Sequence, residues 1–189
     1  MAEGSGEREL LSAIRASDRG AFERAVALHE RSVRRFAAAF LNDAAEGDDV
    51  AQRAFLDLWR DRTSLRPDGS LRGVLLARAR HLCLNRVRAR VRAAARAERA
   101  SIEAEGSVGT PLDALLGAQD ARELDLLRRR IAALVETLDL DARTSIWMRF
   151  AGEASFEEIG AAIGRPPHAV RALVYRQLAL LRSLLARPS

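Results

Sequence analysis

The chain has 189 residues, of which 48% are hydrophobic and 30% are charged, and its formal net charge is +5. This length is enough for one ordinary domain or two small ones with real apolar cores. The single cysteine, Cys83, excludes an intramolecular disulfide and a cysteine-based zinc site, and no run of about 18 uncharged apolar residues could span a membrane. We expect a cytoplasmic protein without membrane insertion. The excess of positive charge favours an anionic partner such as nucleic acid. The arginines suit phosphate because a guanidinium group can bond two oxygens at once.

Apolar residues recur at spacings of three and four almost throughout the chain, so the sequence predicts an all-α protein. Asp18 is the predicted N-cap of a helix that runs to about Leu41, and Asp43 is the predicted N-cap of the next helix. A turn at residues 66–70 then precedes a long helix that should end near Arg99.

Residues 100–119 contain three glycines and one proline and have no sustained apolar stripe. Such a composition is typical of a linker. Helical periodicity resumes at about residue 120. The sequence therefore predicts two small helical domains, at residues 1–99 and 120–189, joined by a flexible linker.

The stretch G-D-D-V-A-Q-R-A-F-L-D-L-W, residues 47–59, has two distinct helical faces. Helical spacing places on the inner face Ala51, Ala54, Phe55 and Leu58. The other face carries Asp49, Gln52, Arg53 and Asp57. A solvated face is the ordinary interpretation, but polar residues around Phe55 and Trp59 also suit a surface that binds a protein.

The long helix is the basic element of the chain, because residues 72–99 hold nine arginines and one acidic residue, Glu98. Its predicted core stripe consists of Leu76, Ala79, Cys83, Val87 and Val91. Around the remaining surface lie Arg78, Arg80, Arg86, Arg88, Arg90 and Arg92. The pattern allows either a solvated basic helix or a helix that contacts a nucleic-acid backbone.

Residues 155–177 have the pattern of two short helices joined by a tight turn. Ser155 and Glu158 form a predicted capping box, Gly164 can end the first helix, and Pro166 or Pro167 can open the second. This is the pattern of a helix-turn-helix, although an ordinary αα-hairpin has the same caps.

The second helix of this pair is rich in leucine and poor in positive charge. Its cations are Arg171, Arg176 and Arg182, which predict weak DNA binding without another contact. Three further leucines widen its apolar stripe: Leu173, Leu178 and Leu180. Our hypothesis is that they face a protein partner or the first domain of the same chain; the alternative is a slightly wider core.

The sequence contains no recognisable catalytic arrangement. His29, His81 and His168 are scattered without ligand spacing, and no glycine-rich loop follows a strand. Asp48 and Asp49 are adjacent on a helix, so their side chains point about 100° apart. We expect no enzyme activity, no metal and no cofactor.

Taken together, these stretches resemble a bacterial extracytoplasmic-function sigma factor of the sigma-70 family, over about residues 18–95 and 120–186. The sequence D-V-A-Q-R-A-F-L-D-L-W is close to the Asp-Val/Leu-x-Gln-x-x-Phe-x-x-x-Trp motif of the family's region two. The basic helix keeps the spacing of the family's second region-two helix, but the residues at its characteristic positions differ. The last helix pair keeps the structural positions of region four, whereas the exposed, DNA-facing positions differ.

The resemblance implies a transcription initiation factor that binds core RNA polymerase and promoter DNA. The polymerase contact, on the β′ clamp helices, would involve Asp49, Gln52, Phe55 and Asp57. The β flap is a further candidate contact. The DNA contacts implied are Arg78, Arg80, Arg86, Arg88, Arg90, Arg171 and Arg176. The alternative is a sigma-like regulatory protein that binds an anti-sigma factor or another protein partner without initiating transcription.

Overall fold

The structure is a computed structural model that describes residues 3–66, 69–101, 127 and 130–185. All regular elements in these ranges are helical, which confirms the predicted fold class. The elements are α1 (Glu3–Arg15), α2 (Arg19–Leu41), α3 (Ala44–Arg60), a 3₁₀ turn (Arg62–Ser64), α4 (Leu71–Ser101), α5 (described over 130–136), α6 (Leu140–Phe150), α7 (Phe156–Ile163) and α8 (Pro167–Leu185). None of the described helices combines the length and hydropathy that a membrane crossing requires.

The two predicted helix starts near the N-terminus are confirmed. The Asp18 side chain accepts a hydrogen bond from the Ala21 N–H at 3.1 Å, and the Asp43 side chain accepts one from the Glu46 N–H at 2.9 Å. Helix α4 ends at Ser101, and the rest of the predicted linker lies outside the described residues.

Helices α2 and α3 form the first packing unit, because only two residues connect them and their apolar faces meet. Phe22 lies with its ring centroid 6.4 Å from that of Phe55 and 5.0 Å from that of Trp59. Helix α4 packs across both helices through Leu75, Leu76 and Cys83, all fully buried. Burial of side chains of this size contributes about 1.5–3 kcal/mol each.

Helices α7 and α8 form the predicted helix pair. The capping box is confirmed: the Ser155 hydroxyl accepts from the Glu158 N–H at 3.2 Å, and the Glu158 carboxylate accepts from the Ser155 N–H at 2.6 Å. Gly164 ends α7 with φ 72°, a left-handed conformation that favours glycine. Pro167 then opens α8, so a three-residue turn sets the angle between the two helices.

The C-terminal helices pack against α2 and α4. Met148 of α6 and Ile159 of α7 are fully buried in the same apolar cluster as Leu75 and Leu76 of α4. The two parts of the chain therefore share one apolar core in this structure. The sequence suggested such a contact only as one alternative for the leucines of α8.

Candidate functional site

The outer face of α3 presents a short stripe of two polar side chains followed by one apolar side chain. The Asp49 side chain is 70% exposed, Gln52 is also exposed, and Leu56 is 54% exposed. These positions follow the helical spacing of three and four, so they share one face. An exposed leucine between polar neighbours is typical of a binding surface, and sequence reasoning missed Leu56 although the same spacing includes it.

Two of the residues predicted to bind the polymerase are placed differently. Phe55 is only 5% exposed and packs edge-on against Phe22, so its ring is part of the core and is not available to a partner. The Asp57 side chain is 16% exposed and forms ion pairs with Arg53 at 3.2 Å and Arg60 at 3.0 Å. Of the predicted polymerase-binding residues, Asp49 and Gln52 remain on an open surface.

The C-terminal half of the basic helix α4 contacts the acidic start of α3. Arg86 lies 3.4 Å from the Glu46 carboxylate and 3.6 Å from that of Asp49, and Arg90 lies 2.7 Å from Glu46. Arg88 points elsewhere: it is exposed, and its guanidinium donates to the Asn85 side-chain oxygen at 3.5 Å. The predicted DNA-binding arginines are thus not equivalent, because Arg86 and Arg90 already form ion pairs with carboxylates of α3.

The other two predicted arginines of α4 also have partners. Arg78 donates to the Asp61 carboxylate at 2.8 Å, and this hydrogen bond together with one from Arg60 lowers the pKa of Asp61. The Arg80 Nε lies 3.4 Å from the Thr144 hydroxyl of α6, and burial lowers the pKa of Arg80. Arg80 therefore faces the helix-turn-helix half of the chain.

A cleft of about 600 Å³ lies between the end of α3 and α4. Its wall includes Arg60, Arg78, His81 and Asn85. These side chains supply hydrogen-bond donors beside the apolar Leu82. The carboxylates of Asp57 and Asp61 line the same cleft and pair with Arg60 and Arg78, so the lining suits a nucleotide base better than a phosphate.

On α8, Arg171 and Arg176 are exposed, as the DNA-binding prediction requires. The sequence did not indicate three side chains near these arginines. Tyr175 is 58% exposed. The Phe156 ring centroid lies 5.6 Å from the Arg171 guanidinium and 5.0 Å from that of Arg149. Stacking of this kind orients guanidinium groups without neutralising their charge.

The three leucines of the partner-surface hypothesis have different environments. Leu173 is only 4% exposed, which corrects the expectation that it faces a free partner, and Leu178 is half-buried against the core. Leu180, at 45% exposed, is the member of this set that is open to solvent. The wide stripe of α8 is therefore explained mostly by packing, because α6 and α7 both lie against it.

The described residues contain no group of three or more His, Cys, Asp or Glu side chains that could hold a metal ion. Cys83 is buried, and burial raises the pKa of its thiol to about 12. The thiolate, which is the reactive form, is therefore negligible near neutral pH.

A helical unit with a partly acidic outer face, a basic helix and a helix-turn-helix defines a DNA-binding protein that also has a surface for a protein partner. The family described as Sigma-70 region 2 matches residues 25–93. The RNA polymerase sigma-H factor of Pseudomonas aeruginosa is 27% identical over 90% of this chain and 89% of its own length. The ECF RNA polymerase sigma-E factor of Escherichia coli is 25% identical over 93% and 92%.

Two solved structures have the same fold. The structure of CnrH in complex with the cytosolic domain of CnrY covers 97% of this chain and 99% of that chain, with a TM-score of 0.67 and 24% identity. The sigma factor RpoE of Bartonella quintana, in complex with the anti-sigma factor NepR, covers 89% and 98% with a TM-score of 0.60 and 20% identity. Residues 25–93 thus match the Sigma-70 region 2 family, and nearly the whole chain is similar to RNA polymerase sigma factors.

Proposed function

We propose that this protein is a transcription initiation factor that joins core RNA polymerase and directs it to specific promoters. The observation that carries the proposal is the match of the region-two family to residues 25–93, together with near full-length relatives that are RNA polymerase sigma factors. The runner-up, a sigma-like regulator that does not initiate transcription, has no comparable support.

The outer stripe of α3 is the proposed polymerase-binding surface. Leu56 supplies an exposed apolar side chain at the C-terminal end of the stripe, and Asp49 and Gln52 supply charge and hydrogen-bonding groups beside it. Binding energy at interfaces is concentrated in a few central side chains that lose contact with water, whereas rim charges mainly orient the partner. We therefore assign Leu56 the largest contribution.

Promoter DNA is the proposed partner of two separate surfaces. Downstream DNA would contact the exposed Arg88 of α4 and the cleft whose wall includes His81 and Asn85, because exposed cations and hydrogen-bond donors recognise phosphate and bases. Arg78, in the same cleft, would have to exchange the Asp61 carboxylate for a phosphate. Upstream DNA would contact Arg171 and Arg176 on α8, with Arg171 held in place by the Phe156 ring.

An anti-sigma factor is a further proposed partner. In one of the solved structures described above a sigma factor is bound to an anti-sigma factor, and in the other CnrH is bound to the cytosolic domain of CnrY. On this chain, Tyr175 and Leu180 of α8 offer exposed apolar surface for such a contact.

Co-elution of the purified protein with purified core RNA polymerase on gel filtration tests the proposed function. The parent should co-elute, and Leu56→Asp should weaken binding at least tenfold, which corresponds to about 1.4 kcal/mol. The matched control is Leu28→Asp, which alters a leucine that is 64% exposed on α2 and outside the stripe. Absence of co-elution by a folded parent protein would contradict the function, and equal loss in both variants would contradict the assignment of Leu56.

A further inference from the structure

The connection between α3 and α4 borders two clefts. Its described residues are 61–66 and 69–70. Asp61 lines the cleft between the end of α3 and α4, and Leu65 and Ser70 line a second cleft of about 600 Å³ between the connection, α4 and α7. The conformation of the connection therefore shapes both clefts.

A short 3₁₀ turn couples Leu65 to the wall of the first cleft. The Leu65 N–H donates to the Arg62 carbonyl at 3.3 Å, and the Ser64 N–H and hydroxyl both donate to the Asp61 carbonyl, at 3.0 and 2.7 Å. The Asp61 carboxylate in turn accepts a hydrogen bond from Arg78 at 2.8 Å. A shift of the Leu65 backbone would therefore move Asp61 and change where the Arg78 guanidinium lies in the cleft.

Helix α1 bonds this connection from outside. The Arg15 guanidinium donates a hydrogen bond to the Leu65 carbonyl, 50 residues further along the chain. Hydrogen bonds from charged groups are about twice as strong as those between neutral groups. In the first half of α1, the Glu7 carboxylate accepts a hydrogen bond from the Arg72 N–H at 3.1 Å and lies 3.5 Å from the Ser70 hydroxyl. Helix α1 thus holds the connection at its middle and at its junction with α4.

Helix α1 is itself fixed on the core, so it can serve as a support. Its Leu11 and Ile14 are fully buried, and Leu65 of the connection belongs to the same apolar cluster. The turn after α1 adds a further bond, because the Ser17 hydroxyl accepts from the Arg62 Nε at 2.9 Å. Ser17 has φ 69°, a left-handed conformation that is unfavourable for a residue other than glycine and persists where the surrounding contacts require it.

We propose that Arg15 is a positioning residue for promoter recognition, because from α1 it holds the α3–α4 connection, and with it Asp61 and Arg78, in the conformation that discriminates among DNA bases. No residue of α1 lines either cleft in the part of the chain that the structure describes, so Arg15 acts through the connection. The discrimination step rests on the proposed function, whereas the positioning step does not.

The substitution Arg15→Met tests the proposal, because methionine keeps an unbranched side chain and a good helix propensity but cannot donate to the Leu65 carbonyl. Arg15→Lys is the conservative variant, since its ammonium group keeps the charge and remains a donor. The matched control is Arg8→Met on the same helix. Arg8 is exposed and makes no hydrogen bond or ion pair with another described residue.

Hydrogen exchange of the full-length protein without DNA, followed by mass spectrometry, measures the positioning step. In Arg15→Met, peptides that cover residues 61–66 should exchange at least tenfold faster than in the parent, while peptides from residues 44–58 of α3 should be unchanged. Arg15→Lys should restore most of the protection, and Arg8→Met should match the parent. Unchanged exchange at residues 61–66, or equal acceleration throughout the chain, would overturn the positioning role.

Promoter choice by the complex with core polymerase measures the discrimination step. Each complex transcribes a pool of promoters with random sequence in the downstream element, and sequencing of the transcribed templates gives the ratio of the preferred base to the others. A single wrong base pair in a specific site typically weakens binding by tenfold or more, so Arg15→Met should lower this ratio by about tenfold at one or two positions. Arg15→Lys should recover part of the ratio, and polymerase co-elution should stay at the parent level.

The outcomes separate this proposal from the proposed function. An unchanged base ratio in an Arg15→Met protein whose residues 61–66 exchange faster would overturn the role in discrimination. The same loss of ratio in Arg8→Met would overturn it as well. No transcription by any complex, the parent included, would contradict the proposed function and with it the discrimination step, while hydrogen exchange would still decide the positioning step.

Discussion

At the scale of single residues, His29 is a buried titratable group without a hydrogen-bond partner for its Nε2 among the described residues. The Nε2 lies 3.8 Å from the Glu7 carboxylate. Burial is the main reason that the pKa of His29 is lowered; the charge of Arg72 acts in the same direction, and the charges of Glu7 and Glu158 oppose it. The folded state therefore favours the neutral imidazole.

Lowering the pH should destabilise the protein through His29. Because its folded pKa is below the ordinary value of 6.5, the stability that neutral His29 contributes is complete above pH 6.5 and is lost as the pH falls through the folded pKa. The melting temperature should be lower at pH 5.5 than at pH 7.5, and His29→Gln should reduce this difference. The same pH dependence in parent and variant would show that another group controls it.

Phe55 and Leu56 show what the sequence can and cannot assign at this scale. The apolar and polar faces of α3 were predictable from spacing, and the burial of Ala51, Ala54 and Leu58 follows that prediction. A step of one residue on a helix turns the side chain by about 100°, so Phe55 is buried while Leu56 is exposed. The inner-face position of Phe55 therefore assigns its ring to the core, whereas Leu56 carries the exposed apolar surface.

At the scale of helices, the α2–α3 contact depends on the absence of a side chain at Gly47. A Cβ atom there would lie 2.6 Å from the backbone nitrogen of Ala38, which cannot move without shifting α2. Gly47→Ala should therefore lower the free energy of unfolding by about 1–3 kcal/mol, measured by chemical denaturation.

The control for this prediction is the same substitution at Gly6 of α1. A Cβ atom at Gly6 would meet no atom within 4 Å, so Gly6→Ala should be neutral or stabilise by up to about 0.5–1 kcal/mol through helix propensity. Equal effects at the two positions would mean that the close approach of α2 and α3 is not what Gly47 provides.

Helix α4 shows that the positive charge of a helix can be predicted from the sequence, whereas the partners of its arginines cannot. The sequence identifies a basic helix, but the partners of its arginines come from distant segments: Asp61 for Arg78, Glu46 for Arg90 and Thr144 for Arg80. Such pairs depend on how helices cross, which no local pattern contains. The number of arginines free for DNA therefore follows from tertiary packing.

At the scale of the whole molecule, the sequence predicted two domains on a tether, and it offered contact between the last helix and the first domain only as one alternative for the leucines of α8. Glu158 was recognised as part of a capping box, and that local role gave no sign of its bonds to Ser70 and Arg72. Gly152 likewise belongs to no recognisable sequence motif. Its role in the contact depends on Leu76, which packs against it. The contact unites residues separated by more than seventy positions.

This arrangement separates the two proposed activities in space. The main neighbours of α3 are α2 and α4, and its outer stripe with Leu56 stays exposed while α6 and α7 are docked. A partner bound to this stripe would therefore not have to displace α6 or α7.

Leu56→Asp should consequently separate polymerase binding from DNA binding. It should weaken polymerase binding and leave DNA binding unchanged, because the proposed DNA contacts on α4 and α8 do not include the α3 stripe. Fluorescence anisotropy with labelled polymerase and labelled duplex DNA measures both. If Leu56→Asp weakened DNA binding as strongly as polymerase binding, the two proposed surfaces would not be independent.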